Sequence, residues 1–217
     1  MRRAMKPMSK MWLRVRRSAG GLLKDRSGIA ATEFAVIVPI MLVMFFGTVE
    51  FSSAVAIDRK VTLMARTLAN LTSQGQSVND TAIANFRAAS GAIMTPYSGP
   101  LYPAPNTTVS ELYIDPATGD ARVQWSQGSQ PRTAGTAVAI PPSLIALDAN
   151  GKIIPKQYLI FSEVNILYTP TIGYVMVKSG VSLSDVAYTR PRQSTCVFYP
   201  AAPAVVPPAT QPACPAL

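Results

Sequence analysis

The stretch DRSGIAATEFAVIVPIMLVMFFGTVEFSSAVAI, Asp25 to Ile57, decides how the rest of the chain is read. From Phe34 to Val49 sixteen residues carry no charge, and the weakly polar flanks 29–32 and 51–57 lengthen the run. The whole exceeds the roughly twenty residues that cross a bilayer as a helix. A core helix of a soluble domain is rarely apolar on every side for so long. Pro39 is compatible with this reading, because membrane helices tolerate a proline better than soluble ones do. Two glutamates bracket the run, Glu33 at its mouth and Glu50 near its far end. A charge near the bilayer centre costs roughly 2.5–3.5 kcal/mol on insertion scales, so Glu33 calls for a partner or a place among the headgroups.

Charge is distributed very unevenly around this segment. Residues 1–28 hold nine Lys and Arg against Asp25 alone, a balance of +8 out of the chain's net +9. The remainder is nearly neutral and has no basic face to offer a phosphate backbone, so a nucleic-acid partner is not expected. Five Lys/Arg between Arg14 and Arg26 outweigh Arg59, Lys60 and Arg66 on the other side. The positive-inside rule therefore puts the leader in the cytoplasm and the body outside. With 217 residues, 14% of them charged, and a mean hydropathy of +0.21, the chain can build one domain with a core plus appendages.

Three readings fit the apolar run. Ala54-Val55-Ala56 would serve as a signal-peptidase site, but the preceding basic region is very long and the apolar core is bracketed by acids. An uncleaved signal anchor requires nothing of Gly28 or Glu33. The third reading takes RSGIAATEF literally: a basic leader ending in Gly28, four residues, then Glu33-Phe34 and the helix. This pattern resembles the type IV prepilin class, and within it the TadE-like proteins of the tight-adherence pilus system. Gly47-Thr48-Val49-Glu50-Phe51 is similar to the G-x-x-E-F that follows the apolar run in that family. Tyr168 to Tyr174 and Ala187 to Arg192 are similar to its Y-x-P strand exit and its terminal R-P-R.

The resemblance implies cleavage by a prepilin peptidase between Gly28 and Ile29, with Glu33 and Phe34 becoming the fifth and sixth residues. It also implies partners among other pilin-like subunits and the pilus assembly machinery, and a minor pilin-like (pseudopilin) role in pilus assembly. The setting is then a bacterial inner membrane crossed once, with membrane lipid around the helix and the body in the periplasm. Cleavage would free an ammonium on Ile29, which is i to Glu33's i+4 and could meet Glu33 of a neighbouring subunit. The rival reading is an unprocessed, signal-anchored periplasmic binding module with no part in a pilus.

Beyond the membrane the helix is expected to continue to about Thr72, about 65 Å in all at about 1.5 Å per residue. Ile57, Val61, Met64, Leu68 and Leu71 form one apolar stripe opposite Asp58, Arg59, Lys60 and Arg66, suited to pack on the chain's own globular part. Gln74 to Ser77 ends the helix. Asn79 or Asp80 caps a second one, with Ala82, Ile83, Phe86 and Ile93 on one side, stopping before Pro96. Strands follow: Thr108–Asp115 and Ala121–Gln127 flank a hairpin loop. Lys156–Thr169 is the longest, and Val181–Arg190 is its antiparallel neighbour. Pro131 to Pro155 reads as a loop crossing the sheet, with a tight turn at Asn150-Gly151. The fold class is α+β: a long N-terminal helix, a short helix, a small antiparallel sheet and a Pro-rich tail. The expected divisions are 1–28 (leader), 29–57 (membrane helix), 58–195 (domain) and 196–217 (tail).

In the long strand Phe161, Glu163, Asn165 and Leu167 share a face, and Arg190 or Arg192 is the expected partner for Glu163. Cys196 and Cys214 are the only cysteines and enclose seventeen residues rich in proline. In an oxidising compartment they should form a disulfide contributing about 3 kcal/mol in the entropic account. No catalytic site is expected. The chain has no histidine, which removes the His-dependent nucleophile systems and most zinc sites, and it carries neither phosphate-binding glycine motif. No cofactor or metal is expected.

Overall fold

The computed structural model describes residues 27–99, 102–170 and 180–199. Residues 1–26 of the leader and most of the tail lie outside these residues, as does Tyr174. Among the described residues, two α-helices and five strands form an α+β arrangement. Helix α1 spans Ser27–Ser73 and α2 spans Asp80–Gly91. The strands are β1 (Asn106–Ile114), β2 (Ala121–Gly128), β3 (Ala137–Val138), β4 (Gln157–Tyr168) and β5 (Val181–Thr189). They make one sheet in the order β3-β2-β1-β4-β5, with every neighbouring pair antiparallel.

The chain divides into two compact units between Val49 and Glu50. That is eight residues earlier than the division expected after residue 57. Within the first unit, α1 is apolar around its circumference: Phe34, Val36, Met41, Met44 and Phe45 are all exposed. Its most apolar eighteen-residue window has a mean hydropathy of 2.3, with none of it buried. The Thr32 and Thr48 hydroxyls donate back to the carbonyls of Ile29 and Met44, so neither seeks water.

In the second unit the stripe on α1 meets the sheet. Ile57, Val61, Met64 and Leu68 are wholly buried, joined by Ala65 and Ala69. Leu71 is only half-buried; Thr72, whose hydroxyl donates to the Leu68 carbonyl, takes the inward place. The stripe packs with Ile83 of α2 on the sheet face that carries Val109, Trp125, Ile160, Val164, Ile166 and Tyr168. Asn79 caps α2 by accepting from the Ala82 amide. Lys60 reaches across from α1 to the Ile93 and Thr95 carbonyls at the exit of α2, satisfying groups that a helix end leaves open.

The segment 131–155 covers the opposite face. Val138, Ile140, Leu144, Ile145 and Ile153 pack on Leu112, Ile114, Val123, Leu159 and Phe161. It crosses the sheet as expected but is not wholly irregular, since β3 pairs with β2 and a single 3₁₀ turn runs from Pro142 to Leu144. Gly128 ends β2 with φ of 148°, and a Cβ there would run into the Thr107 carbonyl, so only glycine fits.

The sheet's two edges are β3 and β5. β3 is two residues long. On β5, the Asp185 carboxylate accepts from the exposed Val186 amide, taking up one backbone donor of this edge strand. Residues 196–199, expected to begin the tail, are instead part of the core: Cys196, Val197 and Tyr199 are buried. Phe198 is tied to the chain just after α1 by the bonds Val78 N–H to Phe198 O and Phe198 N–H to Gln76 O, each 2.9 Å.

Because Leu68 is fully buried between α1 and the sheet, Leu68→Ala should destabilise the second unit by about 2–5 kcal/mol. Leu63→Ala, on the exposed side of the same helix, should change stability by no more than about 0.5 kcal/mol. Urea unfolding of detergent-solubilised protein, followed by near-ultraviolet circular dichroism, measures both.

Candidate functional site

The residues expected to direct processing and assembly lie in the first turns of α1. Gly28 and Ile29 are helical and exposed, and a Cβ at Gly28 would meet nothing. Glu33 lies one turn on from Ile29, exposed, and forms no hydrogen bond or ion pair among the described residues. Phe34 beside it is 68% exposed. The helix thus presents a carboxylate and an aromatic ring side by side, neither of them used within the described chain.

At Glu50 the pattern reverses. This glutamate is buried, and the Tyr168 hydroxyl donates to its Oε2 at 2.5 Å. Burial, and then the bond to Glu50, push the Tyr168 phenol well above its ordinary range. Glu50 belongs to the G-x-x-E-F stretch and Tyr168 to the strand exit. Two short patterns 118 residues apart therefore meet in one contact.

A second buried carboxylate was not singled out from the sequence. Glu111 lies in the middle of β1 with no exposed surface. Its Oε1 accepts from the Val197 amide at 2.5 Å and its Oε2 from the Trp125 indole at 3.0 Å. Trp125 lies directly opposite Glu111 on β2, and the register slips by one residue just after that pair, leaving a bulge at Gln124. The Trp125 ring stacks on Tyr199 at 5.3 Å, and the Tyr199 hydroxyl bonds Asp80 at the start of α2. The Tyr199 phenol is pushed up to about 12, first by burial and then by Asp80. Glu111 therefore pins the segment 196–199 to the central strand. The signal was present in the sequence: Val109, Glu111 and Tyr113 alternate onto one face of an apolar strand, which surrounds the acid with hydrophobic neighbours.

Glu163 is on the expected face of β4, but its partner is Arg132, not Arg190 or Arg192. The guanidinium makes two bonds to the carboxylate, Nε to Oε2 at 2.6 Å and an NH2 to Oε1 at 2.5 Å, and lies 5.6 Å from the Phe161 ring centre. The reason is register. β5 places Val186 opposite Glu163, so Arg190 comes only after the strand has ended at Thr189, opposite Ile160. Arg190 instead donates to the Leu144 carbonyl at 2.9 Å, and the Arg192 amide bonds the last carbonyl of α1, Ser73. Arg132 is set by its own amide bonding the Ser126 hydroxyl. Sequence reading passed it over because it lies in the Pro-rich crossing. Of the expected disulfide, Cys196 is buried and is not a free thiol, while Cys214 lies outside the described residues.

Among the described residues, these features define one N-terminal apolar helix that fits a single-pass membrane anchor and an α+β unit that contains buried carboxylates. A family model described as TadE-like protein matches residues 28–70, from Gly28 through most of α1. The part of the helix that carries Gly28, Glu33-Phe34 and Gly47 to Phe51 thus lies within the segment that is similar to TadE-like proteins. The strands lie outside the matched residues. No curated protein and no solved structure matches the chain.

The Glu111 site generates a pH dependence. Burial raises its carboxyl from 4.5 to about 8, outweighing the Val197 and Trp125 donors, which pull the other way. The folded protein then binds the proton more tightly than the unfolded chain. The stability this contributes is fully present below 4.5 and is lost as the pH rises through about 8. Thermal unfolding should accordingly occur at a higher temperature at pH 5 than at pH 8. Glu111→Gln, which cannot titrate, should lower stability at pH 5 and flatten that slope, because its amide sets an N–H group against one of the two donors.

Proposed function

We propose that this protein is a minor pilin-like subunit, a pseudopilin, which a prepilin peptidase cleaves after Gly28 and which takes part in assembling a tight-adherence pilus. The observation that carries the reading is that the TadE-like match begins at Gly28, with a Glu33 that has no partner among the described residues five positions later on an exposed apolar helix. In a bilayer a lone carboxylate at that depth is costly, and a neighbouring subunit's new N-terminal ammonium is the counter-charge such a helix lacks. The leader's charge supports a cytoplasmic N-terminus, with the second unit in the periplasm of a bacterial inner membrane. In that compartment Cys196 pairs with Cys214, closing the tail back onto the segment held by Glu111.

The mature chain should begin at Ile29, which intact-mass analysis of membrane-extracted protein measures directly. A chain retaining Met1 would instead support an unprocessed signal-anchored binding module. Gly28→Ala should block processing. Glu33→Gln should leave cleavage intact, since the cut is several residues away, and should weaken co-purification of pilin-like partners by about 1–3 kcal/mol. Undiminished partner recovery with Glu33→Gln would return Glu33 to the headgroup region. For the cysteines, non-reducing peptide maps should show a linked Cys196–Cys214 pair, and two free thiols in freshly isolated protein would overturn it.

A further inference from the structure

A groove of about 370 Å³ runs along the second unit where α1 passes β5, lined by Arg66, Thr67 and Asn70 from the helix and by Tyr188, Thr189 and Arg192 from the strand and its exit. No carboxylate of the described residues lines it. Seven arginines follow Glu50 in the sequence. The side chains of Arg87, Arg122, Arg132 and Arg190 are all engaged, with hydroxyls, carbonyls or carboxylates. Those of Arg59, Arg66 and Arg192 make no hydrogen bond or ion pair among the described residues. Two of these three line the same groove.

A larger groove, of about 470 Å³ on the β4–β5 face, offers a contrast. It also contains an arginine, Arg132, but there Glu163 already occupies the guanidinium from within the chain. The same fold neutralises one groove and leaves the other cationic. The open pair is also held in place at the backbone: Arg66 lies in the regular interior of α1, and the Arg192 amide is fixed to Ser73 at 2.9 Å.

We propose that the Arg66–Arg192 groove is a docking site for an acidic segment of another protein, whose carboxylates take the two guanidinium groups while the Thr67, Asn70 and Thr189 side chains bond its backbone. Guanidinium groups favour this role because their planar donors match a carboxylate in two-point geometry. The groove is larger than a single oxyanion needs, which suits a run of residues. This inference does not depend on how the N-terminus is processed.

The test uses the full chain in phosphatidylcholine nanodiscs and a hexaglutamate peptide carrying one benzoylphenylalanine. After irradiation, peptide mapping should place the crosslink within residues 66–70 or 187–192. Arg66→Gln with Arg192→Gln should reduce that crosslink by about tenfold or more, the scale of a lost charge-assisted pair, whereas Arg59→Gln should leave it unchanged. Both arginines are exposed, and a circular dichroism melt confirms that each variant is folded. Crosslinking confined to residues 1–28, or equal loss with Arg59→Gln, would show general attraction to basic charge and overturn the proposal. So would inorganic phosphate displacing the peptide at equal concentration, or phosphatidylglycerol nanodiscs abolishing the crosslink, the first marking a phosphate site and the second a headgroup site.

Discussion

The structure depends on one constraint: a single helix has to satisfy two solvents in succession. From Phe34 to Val49 it carries no charge and exposes apolar side chains on every side, as lipid demands of a span. From Glu50 onward it is amphipathic, and the stripe of Ile57, Val61, Met64 and Leu68 is what covers the inner face of the sheet. Without that stripe Val109, Ile160, Val164 and Ile166 would lie open, since α2 is short and contributes chiefly Ile83. The membrane element and the core element are therefore one piece of secondary structure, and the helix cannot be removed as a tag without opening the domain's core.

Three glutamates show how the chain manages carboxylates away from bulk water. Glu163 is half-exposed and held by a two-point arginine contact, in the range where an ion pair is tolerated. Glu50 is buried and accepts from a phenol, a neutral donor that itself gives up acidity in return. Glu111 is buried most completely, and its carboxyl is driven toward the neutral form even though it faces two N–H groups. All three tie distant parts of the chain together: crossing segment to β4, helix to strand exit, and central strand to the C-terminal segment.

Much of this was legible in the sequence wherever period decides structure. The 3.6-residue stripe located α1 and its buried side, the capping Asn79 placed the start of α2, and alternation gave β1, β2, β4 and β5 with their antiparallel pairing. Contacts between groups far apart in the chain were not legible. Nothing near Glu163 pointed to Arg132, because the Pro-rich crossing has no period from which to read a direction. Val197 and Glu111 are 86 residues apart, and only the folded sheet shows that the supposed tail enters the core. Hydropathy falls gradually after Val49, whereas packing begins with the buried side chain of Glu50.

The carboxylate of Asp185 on the Val186 amide has a consequence for a protein confined to a surface. Molecules anchored in two dimensions meet at high local density and in similar orientation, conditions under which an open strand edge would recruit its own copies without limit. With one exposed amide filled from within the strand, and with the opposite edge ended after two residues, the sheet offers less backbone for such growth. Contacts between neighbours then fall to side chains, which can distinguish one partner from another where a bare peptide edge cannot.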